Sequence, residues 1–168
     1  MKVSILEGWQ QIQIKTQINK EGESFARNKQ FALLFSLSNY ISKEFPPEFI
    51  WSSTLLRETQ STEILSNAAK CPVEYLIELC EMQKRESELD FRLRAENILA
   101  AVRERSKQYK RIAIVSHGGV ITKIIDSFLQ LPKEHDVWFH TDNTGIYLLE
   151  YKSSVCIIRF SNNTTHLN

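Results

Sequence analysis

His117 sits in a stretch, Arg111–Pro132, whose residue types and spacing point at an anion: RIAIVSHGGVITKIIDSFLQLP. Four apolar residues, Ile112–Val115, suit a buried strand, and Ser116, His117, Gly118 and Gly119 follow. Val120, Ile121, Ile124, Ile125, Phe128 and Leu129 then recur at helical spacing, and Leu131-Pro132 ends the run. A strand that turns through two glycines into a helix aims backbone N–H groups and the helix N-terminus at one point. His117 stands at that point and can donate to a phosphate oxygen, with the Gly118 N–H beside it. The plainer alternative is a strand–helix turn with an incidental histidine.

A second segment repeats the arrangement. Phe49-Ile50-Trp51-Ser52-Ser53 is a short apolar run ending in serines, and Thr54–Lys70 reads as a helix with Arg57 in its first turn. Arginine is unfavourable next to that end of the helix dipole unless an anion is present. Its guanidinium fork suits a phosphate's oxygens. The alternative is a surface arginine paired with Glu58 or Glu63. In an open α/β sheet such turns gather at the carboxyl ends of the strands, so Arg57 and His117 are expected on adjacent strand ends.

The elements that must position these residues alternate between strand and helix. Val3–Leu6 is the candidate first strand. A helix is expected over 20–43, with Phe25, Leu33, Leu34, Leu37 and Ile41 on its buried side and Pro46-Pro47 closing it. A second is expected over 86–109, carrying Leu89, Leu93, Ile98 and Val102 inward. Gly145–Tyr151 and Val155–Phe160 read as two strands at the sheet's end. The alternation implies an α/β fold with a largely parallel sheet covered on both faces. Residues 1–160 are read as one domain, and 161–168 as a polar, frayed tail.

Composition narrows the classes. A chain of 168 residues suits one domain, and a hydrophobic share of 42% can furnish its core, which argues against disorder. A formal charge of +1 gives no electrostatic case for nucleic acid. No apolar run approaches the roughly 18 residues a membrane span requires, and no signal-peptide pattern opens the chain. Cys71, Cys80 and Cys156 are odd in number and form no metal-like pair, so they read as reduced thiols of a cytoplasmic protein. No cofactor motif is present: there is no zinc or calcium pattern and no G-x-G-x-x-G.

SSTLLRETQSTEIL (52–65) resembles the Ser-Pro-Leu-x-Arg-Ala-x-x-Thr-Ala-Glu segment of the histidine phosphatase (phosphoglycerate mutase-like) superfamily, and VSHGGVI (115–121) is similar to its second histidine motif. Three weaker matches follow the family's order: INKEGESFA (Ile18–Ala26), ESELDFRLRA (Glu86–Ala95) and NTGIYLLEY (Asn143–Tyr151). The resemblance implies a three-layer α/β/α, phosphoglycerate mutase-like fold. It implies Arg57, His117 and Gly118 as phosphate-binding residues and a phosphorylated small molecule or a phosphoprotein as partner. It also implies a general acid in a segment best matched by Leu76-Ile77-Glu78-Leu79, which gives Glu78, with Glu81 and Glu74 as alternatives. His117 is the remaining catalytic candidate.

The chain departs from the family at one point. Family members act through an Arg-His-Gly motif after the first strand, and this sequence has none; its four histidines are His117, His135, His140 and His166. If Val3–Leu6 is the first strand, Glu7-Gly8-Trp9 stands in the motif's place, and Glu7 would repel an anionic ligand. If Glu7–Gln10 instead matches a Gln-Gly-Trp stretch some members carry downstream, the first strand is lost or the start misread. Three functions follow as alternatives: a catalytically impaired domain with a phosphate pocket, an active phosphatase or mutase with a misread N-terminus, and an interaction protein with a vestigial pocket.

Overall fold

The computed structural model describes residues 9–15, 24–153 and 155–167. Six strands of the described residues form one sheet: β1 (Trp9–Lys15), β2 (Phe49–Ser53), β3 (Val73–Leu76), β4 (Arg111–Ser116), β5 (Ile146–Lys152) and β6 (Val155–Asn163), in the order β3-β2-β4-β1-β5-β6. The first four strands in that order are parallel to one another, while β5 runs antiparallel to β1 and β6 antiparallel to β5 at the other side. Among the described residues four helices connect them: α1 (Ser24–Glu44), α2 (Leu56–Ala69), α3 (Glu88–Arg105) and α4 (Gly118–Phe128).

Alternation along the strands builds two cores, one on each face. Ile112 and Ile114 of β4 join Trp51, Tyr147 and Leu149 against α3 and α4, where Phe91, Ile98, Ile121, Ile125 and Phe128 are buried. Ala113 and Val115 face the other way, with Ile50 and Leu148, against Leu34, Leu37 and Ile41 of α1 and Leu65 of α2. The result is the three-layer α/β/α arrangement expected, with a mostly parallel sheet. Among the described residues no helix is long and apolar enough to cross a membrane.

Several expectations need correction. The strand beside β4 is Trp9–Lys15, and not Val3–Leu6, so the sheet position next to His117's strand is filled. Val3–Leu6, Glu7 and Gly8 lie outside the described residues. Trp9 opens β1 opposite Tyr151, at the far end from Lys15, which pairs with Ser116. Trp9 therefore stands at the end of the sheet away from His117, and not at the carboxyl ends of the strands where an Arg-His-Gly replacement belongs. The residues that do follow β1 are Thr16 and Gln17. Residues 16–23, including most of the Ile18–Ala26 match, also lie outside the described residues.

In α3, Leu89 is exposed and Phe91 takes the buried place, because the helix starts at Glu88 with Ser87 as its cap. The Ser87 hydroxyl accepts from the Asp90 N–H at 3.1 Å, which sets the rotation of the first turn. The expected frayed tail is structured. Residues 161–163 continue β6, and Thr165–Leu167 forms a 3-10 turn with His166 buried. Ser36 of α1 donates to the His166 carbonyl, and His166 Nε2 lies 3.0 Å from Thr144 Oγ1. Asn162 of β6 and the Asp142 backbone come close to Gly145, where a Cβ would crowd them.

Candidate functional site

The four parallel strands end level with one another: Leu76 pairs with Ser53, and Lys15 with Ser116. β2 and β4 are adjacent, so the turns that leave them open side by side. His117 caps α4, and Gly118 and Gly119 are only half-buried, which leaves the N-terminal N–H groups of α4 within reach of solvent. Leu55 caps α2 without a side-chain hydrogen bond, and Arg57 projects from the first turn.

These turns bring Arg57 and His117 together, with Arg57 Nη2 2.9 Å from His117 Nδ1. His117 is buried, and its other ring nitrogen, Nε2, is 3.1 Å from Ser53 Oγ. Ser53 Oγ also accepts from the Leu55 N–H at 3.3 Å and lies 3.2 Å from Cys80 Sγ. Two carboxylates complete the cluster. Glu58 Oε1 is 3.1 Å from Arg57 Nε and 3.0 Å from His117 Nδ1, and the side chain is 0% exposed. Glu81 Oε2 is 2.8 Å from Arg57 Nη2, its Oε1 is 3.6 Å from His117 Nδ1, and its side chain is 58% exposed.

Nδ1 of His117 faces both a donor and an acceptor. One ring nitrogen cannot accept from Arg57 and donate to Glu58 at once. With the proton on Nδ1 the ring donates to Glu58, and Nε2 accepts the Ser53 hydroxyl proton. With the proton on Nε2 the ring donates to Ser53 and accepts from Arg57. In either tautomer both ring nitrogens are engaged.

Of the three carboxylates considered for the acid position, only Glu81 reaches this cluster. Glu78 is exposed and lines a groove of about 440 Å³ with Asp90, Leu93 and Arg94. Glu74 pairs with Arg105 at 2.6 Å. The separation follows from a 3-10 turn, Ile77–Leu79, which directs Glu78 outward and buries Leu79. Ser116 Oγ donates to the Leu79 carbonyl at 2.7 Å, which ties that turn to the end of β4. Arg94 holds the stretch beyond it. It donates to the carbonyls of Glu78, Cys80 and Glu81, and to Glu86 at 2.7 and 2.8 Å. That hydrogen bonding holds the Glu86 carboxyl below its usual value of 4.5, against the opposing effect of burial.

Ser53 and Arg94 escaped the reading of the sequence, and Glu58 entered it only as a surface partner for Arg57; the structure forms that pair but buries the carboxylate. Glu58 carried a signal, since it stands where the resembled motif has alanine, and a charge there is out of place. The other histidines lie in other surroundings: His135 is 3.4 Å from Asp126, His140 faces Asp142 and His166 faces Thr144. Among the described residues no group of three or more His, Cys, Asp or Glu side chains could hold a metal ion.

Residues 82–164 match the sequence profile of the histidine phosphatase superfamily, branch 1. No curated protein sequence matches. Solved structures share the fold. A mutant phosphoserine phosphatase from Entamoeba histolytica, in complex with phosphoserine, superposes with a TM-score of 0.74 at 16% identity, covering 95% of this chain and 99% of that one. The α-ribazole phosphatase of Shigella flexneri gives 0.76 at 16% identity, covering 92% and 96%. A mycobacterial glucosyl-3-phosphoglycerate phosphatase complexed with VO3 gives 0.73 at 14% identity, covering 92% and 99%. The profile match covers residues 82–164, and the shared fold extends over nearly the whole chain.

Proposed function

We propose that the chain is an anion-binding, catalytically impaired histidine-phosphatase-like domain, a pseudophosphatase. The observation that carries this is the Arg57–His117 pair, 2.9 Å apart, at the start of α4 with both ring nitrogens of the histidine engaged. Arg57 and the helix N-terminus suit an anion. Attack on phosphorus needs a free nitrogen lone pair in line with the leaving group. His117 Nε2 is held by Ser53, and β1 leads into Thr16-Gln17 with no histidine. The ligand class is a phosphorylated small molecule, by analogy with the phosphoserine bound by the Entamoeba relative. Glu81 fits the acid position better than Glu78, because Glu81 and not Glu78 reaches Arg57 and His117.

The test has two readouts. Titration of the full chain with inorganic phosphate, followed by calorimetry and by the His117 ring resonances, is expected to show weak binding that Arg57→Ala reduces. An aryl phosphate is expected to turn over no faster than positioned acid catalysis allows, about 10²–10⁴-fold over the uncatalysed rate. Robust turnover that survives His117→Ala overturns this reading. Robust turnover lost with His117 makes His117 the nucleophile and overturns the impairment.

A further inference from the structure

Glu58 lies where the anion of a ligand would have to make its hydrogen bonds. Its Oε1 sits 3.0 Å from His117 Nδ1 and 3.1 Å from Arg57 Nε, the same two side chains that would receive an incoming oxyanion. The side chain is 0% exposed, so the carboxylate cannot swing into water as Glu81 can. Its second oxygen, Oε2, is buried with no hydrogen-bond partner among the described residues. A buried, unpartnered carboxylate oxygen is a standing cost to the fold.

We infer that Glu58 determines the specificity of this pocket: it is an internal carboxylate seated on the anion's donors, and it disfavours doubly charged phosphate groups relative to single negative charges. The inference rests on the anion-binding reading above. The charge balance carries it. Arg57 supplies one positive charge, and Glu58 and Glu81 supply two negative ones within hydrogen-bonding reach of it. A ligand can displace Glu81, which is 58% exposed. Glu58 stays, and its charge already balances Arg57. The space Glu81 vacates, 2.8 Å from Arg57 Nη2, then suits a group of one negative charge. A dianion placed there feels the repulsion of Glu58 twice over, since the Coulomb energy scales with ligand charge.

The experiment measures binding of sulfate, a fixed dianion, and acetate, a monoanion, to the full chain by calorimetry, in the wild type and in Glu58→Ala, Glu58→Gln, Glu63→Ala and Arg57→Ala. Glu58→Gln preserves side-chain volume and removes only charge. Glu63 is exposed on the same helix and controls for a general change in charge. Both Glu58 variants are expected to tighten sulfate by about tenfold more than acetate, the equivalent of one well-placed charge interaction; Glu63→Ala leaves the ratio unchanged. If Glu58→Ala fails to fold, as judged by thermal melting, the glutamine variant decides. An unchanged sulfate-to-acetate ratio in Glu58→Gln, with binding still lost in Arg57→Ala, overturns this inference and leaves the anion-binding reading intact. Binding that ignores Arg57→Ala, or none in any variant, overturns both.

Discussion

Ser53 hydroxyl, His117 imidazole and Glu58 carboxylate form a buried chain of hydrogen-bonding groups that ends at Arg57. Truncating Arg57 removes the guanidinium from a carboxylate that cannot reach water. Arg57→Ala is therefore expected to lower stability by about 1–3 kcal/mol, measured by urea denaturation, as the cost of leaving Glu58 less well satisfied. It should also weaken phosphate binding by about 1.5–3 kcal/mol for each charge-assisted hydrogen bond lost. Ser53→Ala has a different signature. It releases His117 Nε2, so the ring resonances should shift and the tautomer balance should move, whether or not phosphate is present.

Two elements carry their own pH dependence. The Ile77–Leu79 turn and the stretch after it are held by the Arg94–Glu86 pair. Glu86 titrates lower when folded than its usual 4.5, so its contribution to stability is present above that value. It is lost as pH falls through the lower folded value. Acid melts should show this loss, and Glu86→Gln should flatten it; hydrogen exchange over residues 77–86 should rise in Arg94→Ala. At the C-terminus, burial lowers the His166 pKa from 6.5. The unfolded chain then binds more protons around that pH, so the docked turn contributes stability above 6.5 and loses it as pH falls. Thermal melts across roughly pH 7.5 to 5.5 should record the loss, and His166→Asn should remove it.

For the molecule as a whole, the two cores on opposite faces of the sheet set the energetic scale. Phe128 is 0% exposed at the end of α4 and packs edge-on against Tyr151 at 4.6 Å between ring centroids. Phe128→Ala should cost about 3–5 kcal/mol by cavity formation. Phe35, on the outer side of α1, is 65% exposed, and its alanine variant should change stability by no more than about 0.5 kcal/mol. Equal destabilisation by the two changes, in denaturant titration, would contradict the layering described here.

Local residue patterns are enough to place β2 and β4, the turns that leave them, and Arg57 beside His117 on adjacent strand ends. Those features rest on short-range signals: apolar runs, helical spacing, paired glycines and a first-turn arginine. The sequence did not reveal β1. WQQIQIK is half polar, and it becomes a strand through pairing on both sides, with β4 and β5. Nor did it reveal the order of the tail, whose partners Ser36 and Thr144 lie 130 and 22 residues away in sequence. The choice among Glu74, Glu78 and Glu81 turned on one 3-10 turn held by Ser116 and, beyond it, by Arg94. The burial of Glu58 depended on α2 lying against the end of β4. Contacts of this kind are fixed by packing between distant segments, and no local pattern of residue types encodes them.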